Sequence, residues 1–332
     1  MNLGVPLGLS SGPCWGAADF FGGIQSRRLP ALTVAFWSQL AGALALAATL
    51  TIQGDRPAGP EVAWVLAAGV GRGCALVLFY RGLAEGTMSV VAPISACGAI
   101  VPVAAALLTG NQPGTVAALG VATAITGVIL VSRPTSRGTA RPRTATAASP
   151  GTPRPAGTPG RAGRVVAMAL GSALGFGLFY VFVDAGTAAA ARTSGSPGSP
   201  LHGSPLWVIA GARMSSLVIL STIALVSSIA SSTALVGRRP ALGRPGRQRT
   251  ALRWPGRRIG PVALVGIGDT GANLLFAYAA TTGNLAVVGV LGSLYPVATV
   301  ILARWLLGER LSGGQNAGVA LALTGVGLLA AA

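Results

Sequence analysis

The chain has 332 residues, of which 52% are hydrophobic and 9% charged, with a mean hydropathy of +0.66. A soluble domain carries about 25% charged residues, so a water-soluble globule is excluded, and the apolar content excludes a disordered chain. The formal charge of +17 comes from 24 basic residues, all of them Arg, against seven acidic ones.

A helix that crosses a bilayer takes about 20 apolar residues, and ten would leave about 130 residues for connections. Pro, Gly and charge bound the apolar runs. In chain order the predicted spans are Leu3–Ile24, Ala31–Ile52, Val62–Leu83, Met88–Leu108 and Thr115–Ser132. Then follow Val165–Ala185, Leu206–Ser231, Ile259–Thr281, Leu285–Leu307 and Gly314–Ala331. The expected fold is all-α: a polytopic membrane protein of ten transmembrane helices. The segment Met1–Trp15 has no basic start, and Pro13 precedes Cys14, unlike a cleavage site. The first run is therefore expected to be a retained helix.

Two tracts interrupt the spans. Residues 133–164 are rich in Arg, Pro, Thr, Ala and Gly, and read as a disordered basic linker. Residues 237–258 form a second basic loop. The expected organisation is a first five-helix repeat over 1–132, the linker over 133–164, and a second repeat over 165–332.

The halves share words at a near-constant spacing. Gly120-Val121-Ala122 and Thr126-Gly127-Val128 recur as Gly318-Val319-Ala320 and Thr324-Gly325-Val326, 198 residues on, as Gly110 does in Gly308. Phe79, Gly86 and Val90-Val91 recur as Phe276, Gly283 and Val287-Val288, 197 residues on. Pro30 and Pro205 each open the second span of a half. An odd number of spans per half inverts the second copy, the plan of many secondary transporters, whose sites lie near the midplane between the repeats.

Connections after odd-numbered spans, together with Arg81 and Arg304 in the span ends that lead into them, hold 20 of the 24 Arg, and those after even-numbered spans hold Arg56 and Arg192. This bias puts the odd connections in the cytoplasm and both termini outside. It also accounts for the net charge without nucleic acid. Cys14, Cys74 and Cys97 lack redox or metal spacing and read as small buried hydrophobes. The sole His, His202, lies between spans, and no H-E-x-x-H helix is present, so no enzyme, metal or cofactor is expected.

Trp15-Gly16-Ala17-Ala18-Asp19-Phe20-Phe21-Gly22-Gly23 resembles the first helix of EamA-type transporters of the drug/metabolite transporter superfamily. Gly292-Ser293-Leu294-Tyr295-Pro296-Val297 through Leu307-Gly308-Glu309-Arg310 resembles the ninth helix and the L-G-E-R turn of that family. Ala92-Pro93-Ile94-Ser95 and Gly318–Leu328 resemble its fourth and last helices. The resemblance implies two inverted five-helix EamA repeats and a small-molecule substrate. The first half departs from the pattern, with Asn111 where the second half has Glu309.

An ionisable residue within a span costs about 2.5–3.5 kcal/mol to insert, so it normally faces a cavity or a partner. Apart from Arg81 and Arg304 at the Arg-rich ends of their spans, Asp19, Arg72, Asp184, Arg213 and Asp269 are the five. Trp15 lies one turn from Asp19 on the same face, and this carboxylate would hold a cation or a proton. Asp269 lies mid-span with Asn273 one turn on. Arg213 would grip an anionic group of the substrate or neutralise Asp184 or Asp269. Arg72 would pair with Asp19 or Asp269. Asp184, near a span end, reads as interfacial. Pro93, Pro102 and Pro296 interrupt the fourth and ninth spans, and Ser293 and Tyr295 beside them are further cavity candidates.

The expected function is secondary export of a small polar metabolite such as an amino acid, by alternating access, with protons as the coupling ion. The expected location is a bacterial inner membrane, with lipid as its surroundings. The alternative is a membrane scaffold or sensor that does not transport and whose Arg-rich connections bind anionic lipid or a partner. Oligomeric state is left open.

Overall fold

A computed structural model describes residues 4–53, 62–108, 110, 114–132, 160–193, 205–233, 252–282, 291–292 and 294–331. Every element among them is a helix: α1 (Gly4–Ser26), α2 (Ala31–Gln53), α3 (Val62–Glu85), α4 (Met88–Ala96), α5 (Ile100–Leu108), α6 (Thr115–Ser132), α7 (Gly160–Thr193), α8 (Pro205–Thr233), α9 (Ile259–Thr282), α10 (Tyr295–Leu307) and α11 (Gly313–Ala331). Short 3₁₀ turns stand at Cys97–Ala99 and Gly256–Arg258. Six stretches are long and apolar enough to cross a membrane: Ala31–Ile52, Val62–Glu85, Met88–Ala105, Arg161–Gly186, Ile209–Ala230 and Gly256–Phe276. Thr115–Val131 and Tyr295–Leu307 are apolar but shorter. The first helix, which carries Asp19 and several Gly and Ser, and the Gly-rich last one are not among the six.

The fourth predicted span runs as α4, a 3₁₀ turn and α5. Pro102 has no N–H to give the carbonyl of Gly98, and the chain tightens just before it. Gly98 is also where α7 crosses, meeting Gly177. Pro296 lies in the first turn of α10, where a missing N–H is harmless. It therefore starts this helix, and a turn at Leu294 sets the helix off from helical Leu291 and Gly292 within the ninth predicted span. α7 begins at Gly160, five residues before the predicted start, and Arg164 in this added turn reaches Glu85 of α3 at 2.9 Å. Most of the predicted linker and of the second basic tract lies outside the described residues.

Packing relates the two sets of five helices. α6 and α11 occupy equivalent places in the sequence repeat, and they pack antiparallel. A Cβ on Gly127 would lie 2.7 Å from the carbonyl oxygen of Gly318, and one on Gly318 would lie 2.9 Å from that of Gly127. Gly120 meets Gly325 at the other end of the same seam. Equivalent residues that exchange partners across an antiparallel seam require a two-fold axis perpendicular to the helices. The neighbours obey the same axis: α1 packs on α9 as α7 packs on α3, and α2 packs on α9 as α8 packs on α3. Gly110 and Gly308, equivalent in sequence, both take left-handed φ, 84° and 62°. Gly308 thereby caps α10 in a conformation that a side chain would strain.

One end of the bundle gathers the α1–α2, α3–α4 and α10–α11 connections and the starts of α7 and α9. Arg27 meets Glu309 there at 3.4 Å, and Trp37 donates its indole N–H to the carbonyl of Arg253 at 3.1 Å. The largest buried apolar cluster fills the half of the bundle nearest this end. It includes Phe20, Phe79, Leu83, Met88, Val91 and Ile94.

Candidate functional site

The site begins with two glycine-containing crossings. A Cβ on Gly69 of α3 would lie 2.7 Å from the carbonyl oxygen of Ala212, so α8 comes in against the α3 backbone. Gly266 of α9 lets Ser38 and Gly42 of α2 approach in the same way. Each glycine precedes a charged residue by three positions: Arg72 on α3 and Asp269 on α9. The crossings carry these two side chains to the middle of the bundle, into the seam between the repeats.

There Arg72 donates from Nη2 to Asp269 Oδ2 at 2.8 Å. Arg213 of α8 donates from its own Nη2 to the same oxygen, and from Nη1 to Gln39 Oε1 at 3.3 Å. Arg213 is 1% exposed, the largest fully buried side chain among the described residues. The guanidinium of Arg72 also stacks over the Phe179 ring, 5.1 Å from its centre, a cation–π contact. The Nε of each arginine is buried without a hydrogen-bond partner among the described residues. Two cations thus converge on one carboxylate oxygen, with two buried donors left over. The sequence left Arg72 and Arg213 a choice of acidic partners, and the fold gives both of them Asp269.

Asp19 faces this triad from α1. It lines the same small cavity, with Ala18, Ser38, Gln39, Leu76, Tyr80 and Gly266. Its carboxylate makes no hydrogen bond or ion pair among the described residues. The cavity measures about 20 Å³, room for roughly one water and for no metabolite.

The other predicted residues lie around this centre. Trp15, one turn from Asp19, packs its ring on Phe276 at 5.5 Å and Tyr295 at 6.5 Å, forming an aromatic wall on the side of the cavity away from the Arg-rich end. Asn273 turns back to its own helix and donates to the carbonyl of Asp269, so it braces α9. Asp184 is exposed, away from the cluster. Ser293 lies outside the described residues. Among residues not predicted, Tyr80 is buried at the cavity, and Ser38 and Gln39 complete the α2 wall. A signal for that wall was present: Ser38 follows Pro30 by the spacing at which Arg213 follows Pro205.

A second polar centre lies at the Arg-rich end. Glu309, in the turn between α10 and α11, accepts from the backbone N–H of Met88 and of Ser89, each at 2.9 Å. Its carboxylate therefore caps the first turn of α4, which belongs to the other repeat, where the helix dipole favours negative charge. Arg27 of α1 pairs with the same carboxylate.

Two antiparallel repeats closed on a buried Arg–Asp–Arg triad define a multi-pass helical membrane protein with a charged centre shared by both halves. The sequence profile of the EamA-like transporter family matches residues 2–133 and 204–331, once per repeat. The chain belongs to the EamA-like transporter family, whose members are membrane transporters of the drug/metabolite transporter superfamily. No curated protein matches the sequence. A solved crystal structure, described only as that of a protein, matches with a TM-score of 0.51 at 13% identity, over 98% of this chain and 95% of its own. That likeness concerns the fold alone.

Proposed function

We propose that this transporter is a secondary exporter of a small polar metabolite, an amino acid or related solute, working by alternating access through ten spans. The observation that carries the reading is the triad. Arg72 and Arg213 share one oxygen of Asp269 in the seam between inverted repeats, and Asp19 faces them unpaired. Inverted-repeat transporters hold substrate at such a seam and rock the repeats around it. A guanidinium pair suits a carboxylate, and a free carboxylate suits an ammonium group or a proton. In this reading the substrate's carboxylate takes the place of Asp269 on the arginines. Its ammonium group, or a coupling proton, sits at Asp19. A cavity too small for the solute belongs to a closed station of the cycle. We place the Arg-rich end in the cytoplasm and both termini outside, in a bacterial inner membrane, following the Arg bias.

The test is reconstitution. Purified protein in liposomes is loaded with a panel of labelled amino acids and related polar solutes, with and without a pH gradient. Efflux of at least one solute above protein-free liposomes, lost in Asp269→Asn, is the expected result. No movement of any solute by folded protein overturns the reading.

A further inference from the structure

We infer that Glu309 is the cytoplasmic gate of this transporter, acting by holding Met88 as a plug between the Asp19 cavity and the Arg-rich end. The inference rests on the transport reading, and its test does not require the substrate.

The residues form a ladder along α1. Asp19 lines the cavity. One turn on, Gly22 and Gly23 leave space that other side chains enter. The Tyr80 ring lies over Gly22, and the Met88 methyl group, with Leu83, lies over Gly23, where an added Cβ would be 2.8 Å from Met88 Cε. A turn further, Arg27 reaches Glu309. Met88 is fully buried, as are Leu83, Val91 and Phe20 around it. The way from the cavity to the Arg-rich end is filled by this apolar group.

Met88 is also the first residue of α4, and Glu309 holds its amide. One carboxylate from the second repeat therefore fixes the start of a helix in the first repeat, together with the plug that this helix carries. Rocking the repeats apart at this end must break the two amide contacts and the Arg27 pair. Three donors on one carboxylate make that a cooperative step. The device is one-sided in sequence: the first repeat has neutral Asn111 where the second has Glu309. The same symmetry that would build an equal lock at the opposite end supplies no carboxylate there. The geometry thus ties closure of the Arg-rich end, and not of the other, to one acidic side chain.

The experiment measures access to the cavity. Cys14, Cys74 and Cys97 are replaced by Ser, and Ala18→Cys supplies a reporter in the cavity wall. Inside-out vesicles expose the Arg-rich end to a small charged methanethiosulfonate reagent. Glu309→Gln keeps the shape and loses the charge, and is expected to speed labelling at least tenfold. Glu85→Gln, which removes the charge that pairs with Arg164 at the same end, is expected to leave the rate unchanged. Met88→Ala keeps the carboxylate and removes the plug, and should match Glu309→Gln, so a poorly folded Glu309 variant leaves the idea testable. An unchanged rate in folded Glu309→Gln or Met88→Ala overturns the gate. Equal acceleration by Glu85→Gln also overturns it, since that would be general loosening. Failure of the liposome flux assay with these labelling results intact would sink the proposed substrate class and leave the gate standing.

Discussion

Arg72 and Asp269, hydrogen-bonded at 2.8 Å, occupy the same position of the two repeats. Gly69-Val70-Gly71-Arg72 is matched by Gly266-Ile267-Gly268-Asp269, 197 residues on, the spacing that also relates Phe79 to Phe276. A two-fold axis brings equivalent residues together only where it passes between them. The ion pair therefore marks the axis, and the place where identity of the halves has been given up. Two arginines there would repel, and so would two aspartates.

This geometry orders the effects of removing each member of the triad. Asp269→Asn leaves two buried guanidinium groups facing a neutral amide. Removing one partner of a buried pair costs about 3–5 kcal/mol. Arg72→Gln leaves the Arg213–Asp269 pair in place, so its cost is smaller, and Arg213→Gln lies between because Gln39 also loses its donor. Thermal unfolding followed by size-exclusion chromatography in detergent should rank the midpoints wild type, Arg72→Gln, Arg213→Gln, Asp269→Asn from high to low. An Asp269→Asn midpoint at or above that of Arg72→Gln would show that Asp269 is not the hub.

The seam of α6 and α11 makes a separate prediction. Gly127 and Gly318 sit backbone against backbone, and any side chain must push the helices apart. Gly127→Val should lower stability by about 1–3 kcal/mol, the usual cost of overpacking. Gly327, two residues from Gly325 and so on another face of α11, has nothing within 4 Å of an added Cβ. Gly327→Ala should therefore be neutral or slightly stabilising, because Ala is the better helix former. Equal losses in both variants would refute the seam as drawn.

Much of this architecture was legible in the residues. Apolar runs bounded by Pro, Gly and Arg marked the helices. The recurrence of Gly120 and Gly127 as Gly318 and Gly325 marked the duplication, and these glycines turn out to be the contact itself. The five ionisable residues in spans contained the whole triad and Asp19. Their pairing was left open between Asp269 and other acids, although the 197-residue spacing already aligned Arg72 with Asp269, because a spacing reveals equivalence and not the position of the axis. Tyr80 was missed as a wall of the cavity because burial depends on which helices cross, and the Gly22 gap that admits its ring is on another helix. The role of Glu309 was out of reach for the same reason. Its partners are backbone amides 220 residues away, and amides leave no trace in a sequence.

Asp19 separates transport from folding. Asp269 is held by two arginines, so its loss harms both, and a dead Asp269 variant bears on chemistry only when the protein is shown to be folded. Asp19 has no such partner among the described residues, yet it faces a carboxylate, Asp269, across a cavity that holds about one water. A charge in that position costs stability, and replacing it by an isosteric amide removes the cost. Asp19→Asn should accordingly unfold at the same temperature as wild type or slightly higher. A side chain that a fold would be better without is expected to persist for what it does, which for a buried ionisable group in a membrane means contact with the cargo or its coupling ion. In liposomes the same variant should lose at least nine-tenths of the efflux rate, or retain exchange while losing the response to a pH gradient. Those two losses distinguish a substrate contact from a proton site. A variant that is as stable as wild type and transports normally at every pH would remove Asp19 from the mechanism.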